Sequence, residues 1–126
     1  MSASIICGRA QEFTRRIFKL CDVLMKRGIG GQRIASELIR CGPSIGANAE
    51  EAQEGHTKRD YIAKMSISRK ESRETLYWLR TAVDAGIVTR DEVAWERQEA
   101  GELRAMIIAA IKTAQSNPNR GDFDQS

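Results

Sequence analysis

Apolar residues recur at the spacing of an α-helix in four separate stretches of this chain, and no stretch alternates as a half-buried strand would. In the first, residues 3–28, Ile6, Ala10, Phe13, Ile17, Leu20 and Leu24 form one stripe. Gly28, Gly30 and Gly31 then break the pattern and supply a turn. The second stretch runs from Gln32 to Glu54, with Leu38, Cys41, Ile45, Ala49 and Ala52 on its inner side. Pro43 inside it lacks an amide donor, which predicts a kink near Cys41 and Gly42. Thr57, with Asp60 three positions on, is a helix N-cap signal for the third stretch. Its core face holds Tyr61, Met65, Ser68, Ser72, Thr75, Leu76, Leu79 and Val83, and the small hydroxyl residues there allow a close neighbour. Thr89 and Glu92 form a capping box ahead of the fourth stretch, where Val93, Ala100, Leu103, Ile107, Ala110, Ile111 and Ala114 share one face. Short loops between amphipathic helices predict an all-α, antiparallel up-down-up-down four-helix bundle over residues 1–116. Residues 117–126, Asn-Pro-Asn-Arg-Gly-Asp-Phe-Asp-Gln-Ser, read as a disordered tail.

The chain has 126 residues, enough for one domain with a single core. At 41% hydrophobic and 29% charged it has the composition of a soluble globular protein. No apolar run approaches the roughly 20 residues of a membrane span, so no membrane partner is expected. The N-terminus shows no signal-peptide pattern. Cys7, Cys21 and Cys41 are odd in number and form no C-x-x-C pair, which predicts reduced thiols and a cytoplasmic location.

Nothing in the pattern predicts catalysis. Bundles that hold two metals use paired Glu-x-x-His motifs; here Glu71 and Glu74 have Glu-x-x-Glu spacing, and the single histidine, His56, falls in a turn. Cys41 lies in an apolar stripe and reads as a buried structural thiol. Gly42 and Gly46 follow no strand and precede no Gly-Lys-Ser, so they are packing residues and not a phosphate loop. The expectation is a protein that is not an enzyme, with no cofactor, no metal and no evident small-molecule substrate.

Three surface patterns suggest interaction instead. Arg40, Ser44, Asn48 and Glu51 share one side of the second helix, bordering its apolar stripe. Together with Lys70 and Glu74 they could form a charge-paired network between the second and third helices. Large apolar residues also lie off the main stripes: Phe18 and Met25 on the first helix, Ile67 and Trp78 on the third, with Glu71 beside the latter pair. A second apolar face predicts self-association. Finally, Lys58, Arg59, Arg69, Lys70, Arg73 and Arg80 gather on one side of the third helix with Tyr77 among them. Such a stripe suits phosphate contacts with base stacking, making RNA or DNA a candidate partner. The net charge of +3 permits this without requiring it.

The run Cys41-Gly-Pro-Ser-Ile-Gly-Ala-Asn-Ala-Glu-Glu-Ala52, followed by the segment from Thr57 to Leu79 ending Lys-Glu-Ser-Arg-Glu-Thr-Leu-Tyr-Trp-Leu, resembles the four-helix bundle family of 23S rRNA intervening-sequence proteins. Ser44, Asn48, Glu51, Lys70, Glu71, Glu74, Tyr77 and Trp78 stand at the family-pattern positions. Pro43 replaces the usual Thr or Ser, and Ser68 and Ser72 replace the usual Ala. The resemblance implies an antiparallel bundle assembling as a ring-like homopentamer in a bacterial cell. It also relates the chain to the accessory bundle protein of diversity-generating retroelements, which implies a nucleic-acid-binding partner of a reverse transcriptase as the alternative role.

Overall fold

The computed structural model describes residues 3–117, so most of the expected C-terminal tail, from residue 118 on, lies outside the described residues. Four helices follow one another: α1 (Ala3–Leu24), α2 (Gly28–Gln53), α3 (Lys58–Asp84) and α4 (Ala94–Gln115), the last preceded by a 3-10 turn at Asp91–Val93. Sequential neighbours pack together and α4 returns to α1, closing an up-down bundle.

The core follows the apolar stripes. Ile6, Ala10, Phe13, Ile17, Leu20 and Leu24 of α1 are all buried, facing Leu38, Cys41, Ile45 and Ala49 of α2. Leu79 of α3 and Leu103 and Ile107 of α4 complete it. Each large aliphatic side chain so buried contributes about 1.5–3 kcal/mol. Tyr61, Leu76, Val83 and Ala110 are only partly buried and pack on its rim. Trp95 also joins the rim, stacking on Phe13 at 6.2 Å between ring centres, with the Arg16 guanidinium 4.2 Å above its indole.

The glycine-rich turn is tighter than its three glycines suggest. Only Gly28 turns the chain, with φ of +73°. Gly30 and Gly31 already belong to the first turn of α2. A Cβ at Gly31 would collide with the carbonyl oxygen of Leu24, so this glycine sets how closely α2 leaves α1. Farther along, Gly46 lies where a Cβ would come within 3.0 Å of the Ala10 Cβ. Pro43 does not end α2, which runs as one helix on both sides of it.

Local capping places the other ends. The Thr57 hydroxyl accepts from the Asp60 amide at 3.0 Å. Thr89 and Glu92 form the reciprocal box: the Thr89 amide donates to the Glu92 carboxylate at 2.8 Å, and the Glu92 amide donates to the Thr89 hydroxyl at 3.2 Å. This box opens the 3-10 turn, and α4 proper begins only at Ala94. Arg27, from the α1–α2 turn, donates to the Ile87 carbonyl and to both Glu92 oxygens. Two loops at one end of the bundle are thereby tied. The Arg27 hydrogen bonds, with the Thr89 amide behind them, hold the Glu92 carboxyl well below the usual carboxylate range, at about 2.

Candidate functional site

Four seams of the bundle have distinct chemistry, and α3 borders two of them. Toward α2 it presents Glu71, Glu74, Ile67 and Trp78. Arg40 of α2 reaches across to Glu71, at 3.3 Å, and to Glu74. It also stands 3.8 Å from Glu37 on its own helix. Glu71 is 9% exposed, and Arg40 supplies the opposite charge beside it. Thr75 and Ser68 lie beneath this layer. The Thr75 hydroxyl donates to the Glu71 carbonyl and approaches the Cys41 sulfur at 3.2 Å, while the Ser68 hydroxyl donates to the Ile45 carbonyl across the seam at 2.6 Å. The Ser68 and Thr75 hydroxyls thus touch α2 directly, whereas Ser72 donates to the Arg69 carbonyl of its own helix.

The polar stripe of α2 divides. Arg40 and Glu74 meet, as just described. Ser44 turns back to donate to the Arg40 carbonyl, and the Asn48 amide donates to the Ser44 carbonyl, so both side chains satisfy their own helix. Glu51 pairs with Lys64, at 2.9 Å, and not with Lys70. Lys70 instead lines a groove with Ser66, Arg69 and Arg73 of its own helix and Arg104 of α4.

The four off-stripe apolar residues, Phe18, Met25, Ile67 and Trp78, fall into two groups, separated by α2. Phe18 and Met25, each 52% exposed, line an open apolar groove between α1 and α2 with Cys21, Ala35 and Ile39. Its volume is about 430 Å³. Ile39 was not singled out by the helical pattern because it stands one position past Leu38 of the core stripe. On the other flank Ile67 is exposed, whereas Trp78 is half-buried against the core. Arg33 of α2 stands 5.4 Å over the Trp78 indole and Tyr77 meets it edge-on. Glu71, grouped with this patch by sequence, is buried under Arg40 within the protomer.

On its outer side and toward α4, α3 carries the basic stripe. Ser66, Arg69, Lys70 and Arg73 line a groove of about 270 Å³ with Arg104 of α4. Among the described residues none of these four cations makes an ion pair, and Arg104 Nε is buried with no hydrogen-bond partner. Tyr77 and Arg80 continue the stripe, the guanidinium 5.6 Å over the phenol ring. Arg59 is exposed nearer the start of α3, and Lys58 donates to the Asn117 carbonyl at 3.0 Å. Arg104 was missed by the sequence reading, although a signal exists: Ala100, Gly101, Ile107 and Ile108 offer it no carboxylate at helical spacing.

The α1/α4 seam is fully paired by contrast. Arg9 donates to both Glu99 oxygens, at 2.8 and 2.7 Å, and also reaches Glu102, while Arg16 lies 3.6 Å from the buried Glu96. Burial pushes the Cys41 thiol up, and pushes Cys21 to about 11, so both are weak nucleophiles at neutral pH. Among the described residues no group of three or more His, Cys, Asp or Glu is placed to hold a metal ion. No described helix is long and apolar enough to cross a membrane.

A comparison with curated proteins finds no match. Among solved structures, the chain is similar to a protein with unknown function from the S23 ribosomal protein family from Bacteroides thetaiotaomicron, at 30% identity and a TM-score of 0.81. The similarity covers 89% of this chain and 99% of that one. The 23S rRNA-intervening sequence protein family matches residues 3–109, which include α1, α2, α3 and most of α4. The chain belongs to the 23S rRNA-intervening sequence protein family.

Proposed function

We propose that this protein is a non-enzymatic scaffold that works by assembling with copies of itself into a ring. The observation that carries this reading is the open groove of Phe18, Met25 and Ile39, three large apolar side chains left to water beside a complete core. The occupant is a second copy. The chain offers two different apolar patches, this groove and the Ile67–Trp78 flank of α3, on opposite sides of α2. Unlike patches that meet give a head-to-tail contact, and repetition of that contact closes a ring when the rotation between successive copies divides a full turn. A pentamer is the closed form that the family resemblance implies.

Light scattering after size exclusion tests this. The expected mass is a multiple of 14.1 kDa, near five protomers. Phe18→Asp with Met25→Asp is expected to give monomers that melt at nearly the wild-type temperature, and Trp78→Ala to reduce assembly more than Leu103→Ala does. A wild-type mass of one protomer at micromolar concentration rejects the reading.

A second reading, binding to a nucleic-acid strand, is favoured by one specific observation. Arg69, Lys70 and Arg73 are unpaired cations aligned with the exposed Tyr77 ring along one side of α3. Strand binding would fall steeply with salt, and Arg69→Glu with Arg73→Glu would abolish it.

A further inference from the structure

We infer that the groove between α3 and α4, lined by Ser66, Arg69, Lys70, Arg73 and Arg104, is a binding site for a multiply charged phosphoryl anion. The inference deepens the strand-binding reading, on which it rests for the sign of the ligand, but it concerns a defined pocket and includes a residue of α4.

Four cations converge on a space of about 270 Å³ without a carboxylate in ion-pairing range among the described residues. At the other helix contacts, arginines that reach a neighbouring element are answered by acids. Arg9, Arg16, Arg27 and Arg40 each meet a glutamate from another part of the bundle. Like charges held together raise the free energy of the fold, so the cluster needs an external anion to be neutralised. Arg104 adds a second, independent sign. Its Nε has no acceptor among the described residues, so the guanidinium is not committed to a partner within the fold and its remaining donors are free for a ligand.

The donor set selects the ligand class. Three guanidinium forks match the paired oxygens of a phosphoryl group, Lys70 supplies a compact charge, and the Ser66 hydroxyl can donate to a further oxygen. One phosphodiester carries a single negative charge and would leave most of this positive charge unbalanced. A pyrophosphate, a nucleotide polyphosphate or the terminal phosphate of a strand carries two charges or more. The pocket volume is ample for a phosphoryl group.

Pyrophosphate is the probe. Calorimetric titration of the full chain at low ionic strength is expected to show saturable binding. Arg104→Met is expected to weaken it about tenfold or more, the loss of one charge-assisted contact. Arg73→Gln, at an exposed position of α3 where substitution spares the core, is expected to do the same. Lys19→Gln, at an exposed position of α1 away from the groove, is expected to change it less than about twofold. No saturable binding by the wild type, or equal weakening by Lys19→Gln and Arg104→Met, overturns the inference. A parallel titration with an unphosphorylated single-stranded RNA separates the two ideas. If the strand binds and pyrophosphate does not, the pocket is rejected and the strand reading stands. If pyrophosphate binds and the strand does not, the pocket stands and the strand reading falls. Displacement of pyrophosphate by a 5′-phosphorylated oligonucleotide, and not by the unphosphorylated one, supports the pocket and identifies a strand end as the source.

Discussion

The two long sides of α3 place charge against neighbouring helices in opposite ways. Toward α2, Glu71 and Glu74 are answered by Arg40, and hydroxyls of Ser68 and Thr75 fill the layer below. Toward α4, Arg69, Lys70 and Arg73 are met by another cation, Arg104. Both sides belong to one continuous helix, so propensity does not distinguish them. The difference lies in what the facing helix supplies. A seam that supplies the opposite charge serves the fold, because removing either partner strands the other. A seam that supplies the same charge gains nothing for the fold and leaves a surface tuned to something outside it.

Breaking the paired side should have the largest effect. Arg40→Met leaves Glu71 buried beside Glu74 with no counter-charge. The expected loss is about 1–2 kcal/mol, reduced from the full buried-pair value because Arg40 itself is half exposed. Urea denaturation measures it, and adding Glu71→Leu should recover part of the loss.

Acid should act on the carboxylate-bearing parts of the molecule and spare the α3/α4 groove, which has no carboxylate to lose. Glu92 is the clearest case. Its folded-state pKa, about 2, lies below the ordinary glutamate value because Arg27 and the Thr89 amide bind the charged form. Its contribution to stability is therefore present above the ordinary value and is lost as the pH falls through about 2. Thermal melts between these limits should decline less in Glu92→Gln than in the wild type, from a lower starting stability at neutral pH.

The smallest effect is expected in the groove. Arg73→Gln removes one of four like charges from an exposed position, and its stability should stay within about 0.5 kcal/mol of wild type, on the favourable side in low salt. A destabilisation as large as that of Arg40→Met would show that the two sides of α3 do not differ.

Much of this fold was legible in the residues, because a helical period reports directly which side of a helix is apolar. The stripe from Ile6 to Leu24 is buried throughout, and the Thr57 and Thr89–Glu92 caps form where expected. Less visible was anything that depends on how far one helix is rotated against the next. Gly30 and Gly31 looked like turn residues, yet they are helical, and Gly31 is explained by its approach to the Leu24 carbonyl. Ser44 and Asn48 shared a face with Arg40, but side chains this short reach their own backbone before they reach α3. Glu71 and Glu96 are polar residues at buried positions, identifiable only once Arg40 and Arg16 are seen opposite them. Lys70 sits one position from Glu71 and faces elsewhere. Pairing partners across helices are set by packing geometry, which the period of a single helix does not encode.

Opposed charge reversals compare the two sides most directly. Arg40→Glu and Arg104→Glu each convert an arginine that faces α3 into a glutamate, and urea midpoints of the two variants can be read against wild type in one buffer. The predicted result is a change of opposite sign: Arg40→Glu falls, with the new carboxylate crowded beside Glu37, Glu71 and Glu74, while Arg104→Glu rises or holds, with an internal counter-ion for Arg69 and Arg73. Parallel losses of similar size would contradict the account.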